Sequence, residues 1–172
     1  MADPRKDGCM SDLRAIPTIY KGVLLRSRLE AQWASVFDVL LSGRWIYEPP
    51  PWRPDFEVEF VPGSKVLVEV KNSGFDPEFD SVSRFVRIAK ESGLPMIILV
   101  GNCWPGQYQV WIYSTQRELF ERTKRQLVSC CTSTRLMDDP LAHACSVCST
   151  PFDLLSDKIV TAFDEASRVG RR

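Results

Sequence analysis

The stretch "PDFEVEFVPGSKVLVEVK" (54–71) constrains this chain more than any other. Apolar and charged residues alternate on both sides of a Pro-Gly-Ser turn. In 54–60, Phe56, Val58 and Phe60 fall on one face, while Asp55, Glu57 and Glu59 fall on the other. In 65–71, Val66, Val68 and Val70 share a face, and Leu67, Glu69 and Lys71 share the opposite one. A helix would scatter these charges around its surface, whereas extended strands segregate them. The segment therefore reads as a β-hairpin closed at 62–64, with at least one apolar face that other elements must cover.

The flanking sequence supplies that cover. Over 23–42, apolar residues recur at three and four (Leu25, Leu29, Trp33, Val36, Phe37, Leu40), which predicts a helix stopped at Gly43. "RWIYE" (44–48) is a short strand candidate. A second helix is expected over 76–93, with Val82, Phe85, Val86 and Ala89 as its buried stripe and Gly93 as its stop. "PMIILVG" (95–101) is continuously apolar, as a strand buried on both faces would be, and "QYQVWIYS" (107–114) reads as another strand. Helix, three strands, helix, two strands imply an α/β class: a mixed central sheet flanked by helices. Residues 1–17, polar and broken by prolines and a glycine, read as a flexible arm, and 18–114 as the core. In the extension, 115–172, a charged helix is expected over 115–127. A polar, cysteine-bearing segment occupies 129–149. A last helix opens at Thr150-Pro151 and carries an apolar stripe of Phe152, Leu155, Ile159, Phe163 and Ala166.

Composition removes several classes of function. The 22 Lys and Arg balance the 22 Asp and Glu, so any nucleic-acid surface must come from local clustering. No apolar run approaches the roughly 20 residues that span a bilayer. The polar start "MADPRKDGCM" does not read as a signal peptide. A cytoplasmic protein is expected, host cytoplasm if a phage encodes it, with no membrane partner and with cysteines serving as thiols or metal ligands.

The chemistry collects on the hairpin. Glu69 and Lys71 are two apart on one strand face, about 7 Å along the backbone, and Asp55 opposes them on the partner strand. Converging carboxylates make a hard-oxygen site suited to Mg²⁺ or Mn²⁺. Such an ion can polarise a phosphate oxygen and activate a water for in-line attack. Lys71 would orient or deprotonate that water, or stabilise charge on the phosphorane. Glu30 stands beside the apolar face of the first helix, next to Leu29 and Trp33, where an unpaired acid is costly. As a further ligand of the same ion, that cost is offset. Taken singly, each residue also has an ordinary reading. Glu69 and Lys71 can be a solvated pair, Asp55 a turn residue, and Glu30 a partner for Arg26 one helical turn earlier.

Together, "RPDF" (53–56) and "EVK" (69–71) resemble the PD-(D/E)xK, or restriction-endonuclease-like, nuclease superfamily. The longer pattern "LRSRLEAQWASVFD…WIYEPPPWRPDFEVEF…KVLVEVK" is similar to the phage endonuclease I family of junction-resolving enzymes. It is closer still to small nuclease-like proteins of phages and mobile elements with an "FRSRLEARWA…YEP…PDF…VEVK" pattern. The likeness spans about residues 20–114. It implies a restriction-endonuclease-like fold, metal-ligand roles for Glu30, Asp55 and Glu69, a catalytic role for Lys71, and DNA, branched DNA included, as substrate of a homodimer. The balanced charge leaves room for a delivery partner in a larger nucleoprotein complex; a non-catalytic assembly module that keeps the fold is the alternative activity, and a DNA-end or single-strand nuclease a third. Leu25 departs from the pattern's aromatic residue and Asn72 from the glycine or proline often found after the lysine. Neither change removes a reacting group. The sole histidine, His143, lies in the extension, which tells against a histidine-based nuclease.

Two further groups stand out. Cys145 and Cys148 form a Cys-x-x-Cys half-site for structural Zn²⁺, which Cys130, Cys131 or both would complete, with His143 in reserve. Free thiols are the alternative. Arg84, Arg87 and Lys90 recur every three residues on the second helix, and Arg26 and Arg28 open the first. Arg117, Arg122, Lys124 and Arg125 cluster after the last core strand. Each group is a candidate DNA-phosphate contact or a solvated face. Trp52 and Trp104, in proline-flanked loops, are the candidates for base stacking.

Overall fold

A computed structural model describes residues 15–76, 82–105, 107–114, 116–123, 126–129, 134–137 and 157–170. Its centre is a six-stranded mixed sheet in the order β3-β4-β5-β6-β7-β8. These strands are β3 (Trp45–Tyr47), β4 (Phe56–Val61), β5 (Ser64–Lys71), β6 (Met96–Gly101), β7 (Tyr108–Ser114) and β8 (Leu119–Thr123). Every neighbouring pair is antiparallel except β5 and β6. A parallel step needs a crossover, and helix α2 (Ser83–Ser92) lies between the two strands in sequence.

The alternation in the hairpin decides which side each helix covers. Phe56, Val58, Val68 and Val70 join Trp33, Phe37 and Phe163 in one core; Leu67 joins Phe85, Ile88, Met96 and Trp111 in the other. Helices α1 (Arg28–Leu41) and α3 (Asp157–Arg168) pack together on the first face, and α2 covers the second. Strand β6 is buried along its whole length, as its unbroken apolar run requires. The observed class is therefore the expected one, α/β with a mixed sheet flanked by helices.

The first helix is shorter than its periodicity suggests. Val23–Leu25 is strand β2, paired with β1 (Thr18–Tyr20) across a two-residue turn at Lys21 and Gly22. Both turn residues have positive φ, +47° and +81°, the backbone that closes tight hairpins. The helix begins only after Ser27, whose hydroxyl accepts the Glu30 N–H at 3.1 Å. Its far end turns through left-handed Ser42 and Gly43. Asp38, in the last part of α1, ties the neighbouring pieces to it: Tyr20 Oη, Trp45 Nε1 and Lys21 Nζ all lie within 2.8 Å of its carboxylate. The second helix also begins later than expected, at Ser83; Asp76 lies outside it, and 77–81 are outside the described residues.

A larger correction concerns 115–127, expected to be helical. Leu119–Thr123 is instead strand β8, in register with β7, with Ser114 opposite Leu119. Pairing with the open edge of β7 satisfies backbone groups that a surface helix would leave unused, and it buries Phe120 against Tyr113 at 5.6 Å. Tertiary pairing here outweighs local helix propensity. Gln126–Ser129 (β9) and Thr134–Met137 (β10) form a separate two-stranded ribbon. Of the last helix's expected stripe, Ile159, Phe163 and Ala166 are buried against α1, while Phe152 and Leu155 lie outside the described residues. Strand β8 and helix α3 of the extension are thus built into the same layers as the core. Among the described residues, no helix is long and apolar enough to cross a membrane.

Candidate active site

The register of the hairpin makes the site. Phe56 pairs with Val68, so Asp55, one residue earlier, faces Glu69. The Val70 N–H donates to Asp55 Oδ2 at 2.8 Å, and the Asp55 N–H donates to Glu69 Oε2 at 3.2 Å. Both carboxylates are only 2% exposed. Lys71, on the same strand face as Glu69, donates from Nζ to Glu69 Oε1 at 2.6 Å. Its ammonium also lies 5.2 Å from the ring centre of Phe85 and 5.9 Å from that of Phe75, two aromatic faces that hold a cation in place. The expectation that Asp55, Glu69 and Lys71 converge is met.

Glu30 is placed differently. It is the third residue of α1 and 7% exposed. Its carboxylate accepts from Ser27 Oγ at 2.9 Å, from the Arg26 N–H at 3.1 Å and from Tyr47 Oη at 2.7 Å. With Ser27 capping the Glu30 amide, this is a reciprocal cap of the capping-box type. The "SRLE" spacing (27–30) signalled it, and a reading focused on metal ligands passed over it. The cap explains how an acid survives beside Leu29 and Trp33.

Arg26 joins the two halves. Its guanidinium Nη2 bonds Asp55 Oδ1, its Nε stands 3.1 Å from Glu48 Oε1, and the same Nε is 3.9 Å from Glu30 Oε2. The sequence puts Arg26 on DNA phosphates or beside Glu30 and gives Tyr47 and Glu48 no role, although both belong to the "YEP" stretch of the quoted pattern. Glu48 and Arg53 adopt left-handed backbone, φ +44° and +51°, at the two ends of the loop that delivers Asp55. Such conformations cost about 1–3 kcal/mol each and tend to be kept where a site needs them. The Glu48 N–H donates to the Asp55 carbonyl at 3.0 Å, which closes this loop.

The electrostatics follow from burial. The Asp55 carboxyl is pushed up to about 7, first by its burial and next by the Glu69 carboxylate, against the Val70 N–H and the Lys71 ammonium. Burial and the hydrogen bond to Glu30 push the Tyr47 phenol up to about 12, so it remains a donor. Burial alone would lower Arg26, but Asp55, Tyr47 and Glu30 outweigh it and hold the guanidinium above its ordinary value.

The donor set suits a hard divalent cation at Asp55 and Glu69. Two buried carboxylates repel one another there, and Mg²⁺ is commonly held by one or two protein carboxylates plus water and substrate oxygens. Among the described residues, no three acidic, histidine or cysteine side chains form a cluster that could hold an ion, in keeping with Glu30 being engaged by its own helix end. A groove of about 390 Å³ opens beside Lys71, lined also by Ser27, Arg28, Asn72 and Asn102. A second one, of about 570 Å³, lies beyond Phe75 and reaches Gln109 and Arg122. Both adjoin the carboxyl ends of β5 and β6, the usual ligand side of parallel strands.

The other candidates divide. Arg84, Arg87 and Lys90 are exposed on α2, but Arg84 Nη2 donates to the Arg53 carbonyl at 2.8 Å and Lys90 bonds Glu118 at 2.7 Å. Arg28 is exposed at the first groove, and Arg117 pairs with Glu121 at 3.1 Å. Trp104 packs edge-on to Phe163, and Trp52 is half-buried against the α2-side core. Trp104 remains 39% exposed. Lys124, Arg125 and the whole candidate zinc set (Cys130, Cys131, His143, Cys145, Cys148) lie outside the described residues. No protein-family model, curated protein or solved structure matches this chain.

Proposed function

We propose that this protein is a metal-dependent endonuclease of the restriction-endonuclease-like kind, hydrolysing phosphodiester bonds in DNA. The observation that carries the reading is the buried Asp55–Glu69 pair with Lys71 on the same strand face. Asp55 and Glu69 would hold Mg²⁺ or Mn²⁺, which when bound polarises a phosphate oxygen and lowers the pKa of a coordinated water. Lys71, bonded to Glu69 and beside two aromatic rings, lines the groove and would face the phosphate charge that builds up there. Glu30 and Tyr47 act through Arg26 and the start of α1, which makes them positioning residues. Arg28 and the exposed face of α2 are the first places to seek DNA-phosphate contacts. Branched DNA is the substrate form that the resemblance to junction-resolving enzymes favours, and Zn²⁺ at the C-terminal cysteines belongs to the same proposal.

One observation favours a partner-delivered variant of this reading. With zero formal net charge, the chain has little non-specific pull on DNA. The test is cleavage of supercoiled plasmid, linear duplex, single strands and a four-way junction in Mg²⁺, Mn²⁺ or EDTA. Metal-dependent cutting that falls at least about 100-fold in Glu69→Ala and Lys71→Ala, the scale of lost acid–base and charge catalysis, supports the nuclease. Wild-type protein that binds DNA but cuts none of the four favours the assembly-module alternative.

A further inference from the structure

Among the described residues, four carboxylates (Glu30, Glu48, Asp55, Glu69) pair at this site with two side-chain cations, Arg26 and Lys71. When all are ionised, two negative charges are left over, the charge of one divalent ion. Lys71 serves Glu69. Arg26 serves the other three carboxylates from one position, with its Nη2 on Asp55 and its Nε beside Glu48 and Glu30. Asp55 is nearly inaccessible, yet the Arg26 side chain is 53% exposed. It reaches the acid from the solvent side.

The main chain beneath Arg26 is fixed. Its N–H donates to both Glu30 Oε2 and Tyr47 Oη at 3.1 Å, and the next residue, Ser27, caps α1. Movement is therefore confined to a long, half-exposed side chain that can turn outward without repacking the core. The next two residues, Ser27 and Arg28, line the groove that Lys71 also lines.

We propose that Arg26 is an exchangeable counter-cation: it neutralises Asp55 in the ion-free protein, yields that carboxylate to the incoming divalent cation, and then donates to a phosphate of the substrate strand. The proposal rests on the metal-dependent reading above. A guanidinium suits both states, because its planar fork matches carboxylate and phosphate alike and stays charged throughout. The exchange would give Asp55 a counter-cation both before and after the ion arrives, and would link ion arrival to substrate grip. A purely structural arginine would instead be needed equally with and without the ion.

The experiment uses the full chain stripped with EDTA, with Mn²⁺ binding followed by calorimetry in wild type, Arg26→Ala, Arg26→Gln and Asp55→Asn. Thermal melts report folding, and the glutamine variant keeps part of the stem's packing should alanine disturb it. The expected result is Mn²⁺ binding that depends on Asp55 and tightens about tenfold in both Arg26 variants, the size of an ordinary coupling between sites. In Ca²⁺, the same variants should bind a short DNA duplex several-fold more weakly than wild type. In wild-type protein, the Arg26 Nε–H resonance should shift on adding Mg²⁺. Asp55-dependent Mn²⁺ binding that is unchanged or weaker in both Arg26 variants overturns the exchange and leaves the nuclease reading standing. Tighter Mn²⁺ binding with unaltered DNA affinity overturns the transfer to phosphate. Absence of Asp55-dependent binding in every protein overturns both proposals.

Discussion

Asp55 shows how a single residue can set the pH behaviour of a protein. Its carboxyl stands at about 7 in the ion-free fold, because burial and the Glu69 carboxylate oppose ionisation, and near 3.8 in the unfolded chain. Between those values the Asp55–Glu69 pair of the folded protein holds a proton that the unfolded chain has lost, and above about 7, where Asp55 is ionised, Arg26 is its counter-ion. The resulting stabilisation is full below pH 4, declines as pH rises and is gone above about 7, at no more than about 1.4 kcal/mol per pH unit from this group. Urea titrations in EDTA should therefore show this falling contribution in wild type, and Asp55→Asn should lack it. Saturating Mg²⁺ should restore stability at pH 8 to wild type but not to the variant. A wild-type slope that persists unchanged in Asp55→Asn would place its origin elsewhere.

Among the elements, β8 is the instructive one. Read locally, 115–127 is an acceptable charged helix. What makes it a strand is the unpaired edge of β7 and the place there for Phe120, beside Tyr113. Glu118, left-handed at φ +56°, closes the intervening turn, its N–H donating to the Ser114 carbonyl at 2.8 Å. Phe120→Ala should then cost about 3 kcal/mol or more in denaturant unfolding, as for a buried aromatic in a core. Were this segment a solvated helix, the same change would cost only tenths of a kcal/mol. By contrast, the faces of the β4–β5 hairpin were legible, because strict alternation beside a turn admits few other arrangements, while the register shift between Glu59 and Val61 and the place of Ser64 in β5 were not. The strand β2 was missed since Leu25, Leu29 and Trp33 continue a helical spacing across Arg26 and Ser27; the signals against it were Lys21-Gly22 and the Ser27 cap.

At the scale of the whole molecule, α3 closes the core. Phe163 packs against Trp33 at 6.0 Å and Tyr108 at 6.2 Å, so the far end of the chain covers the face that also carries Phe56 and Val68. Ending the chain before Asp157 should uncover this surface and yield a protein that melts well below the full chain or aggregates, as read by thermal melts and light scattering. An unchanged melting temperature would mean that α3 contributes little to the fold. The sequence by itself determined the α/β class, the strand faces, the first two helix stops and the convergence of Asp55, Glu69 and Lys71. These follow from local periodicity and from the fixed geometry of one short hairpin. Tertiary structure alone decided that Arg26 would sit on Asp55, that Tyr47 would reach Glu30, and that β8 and α3 would complete the sheet and its cover. Those outcomes depend on which distant charges and open edges the fold brings together, and one-dimensional spacing carries no record of that.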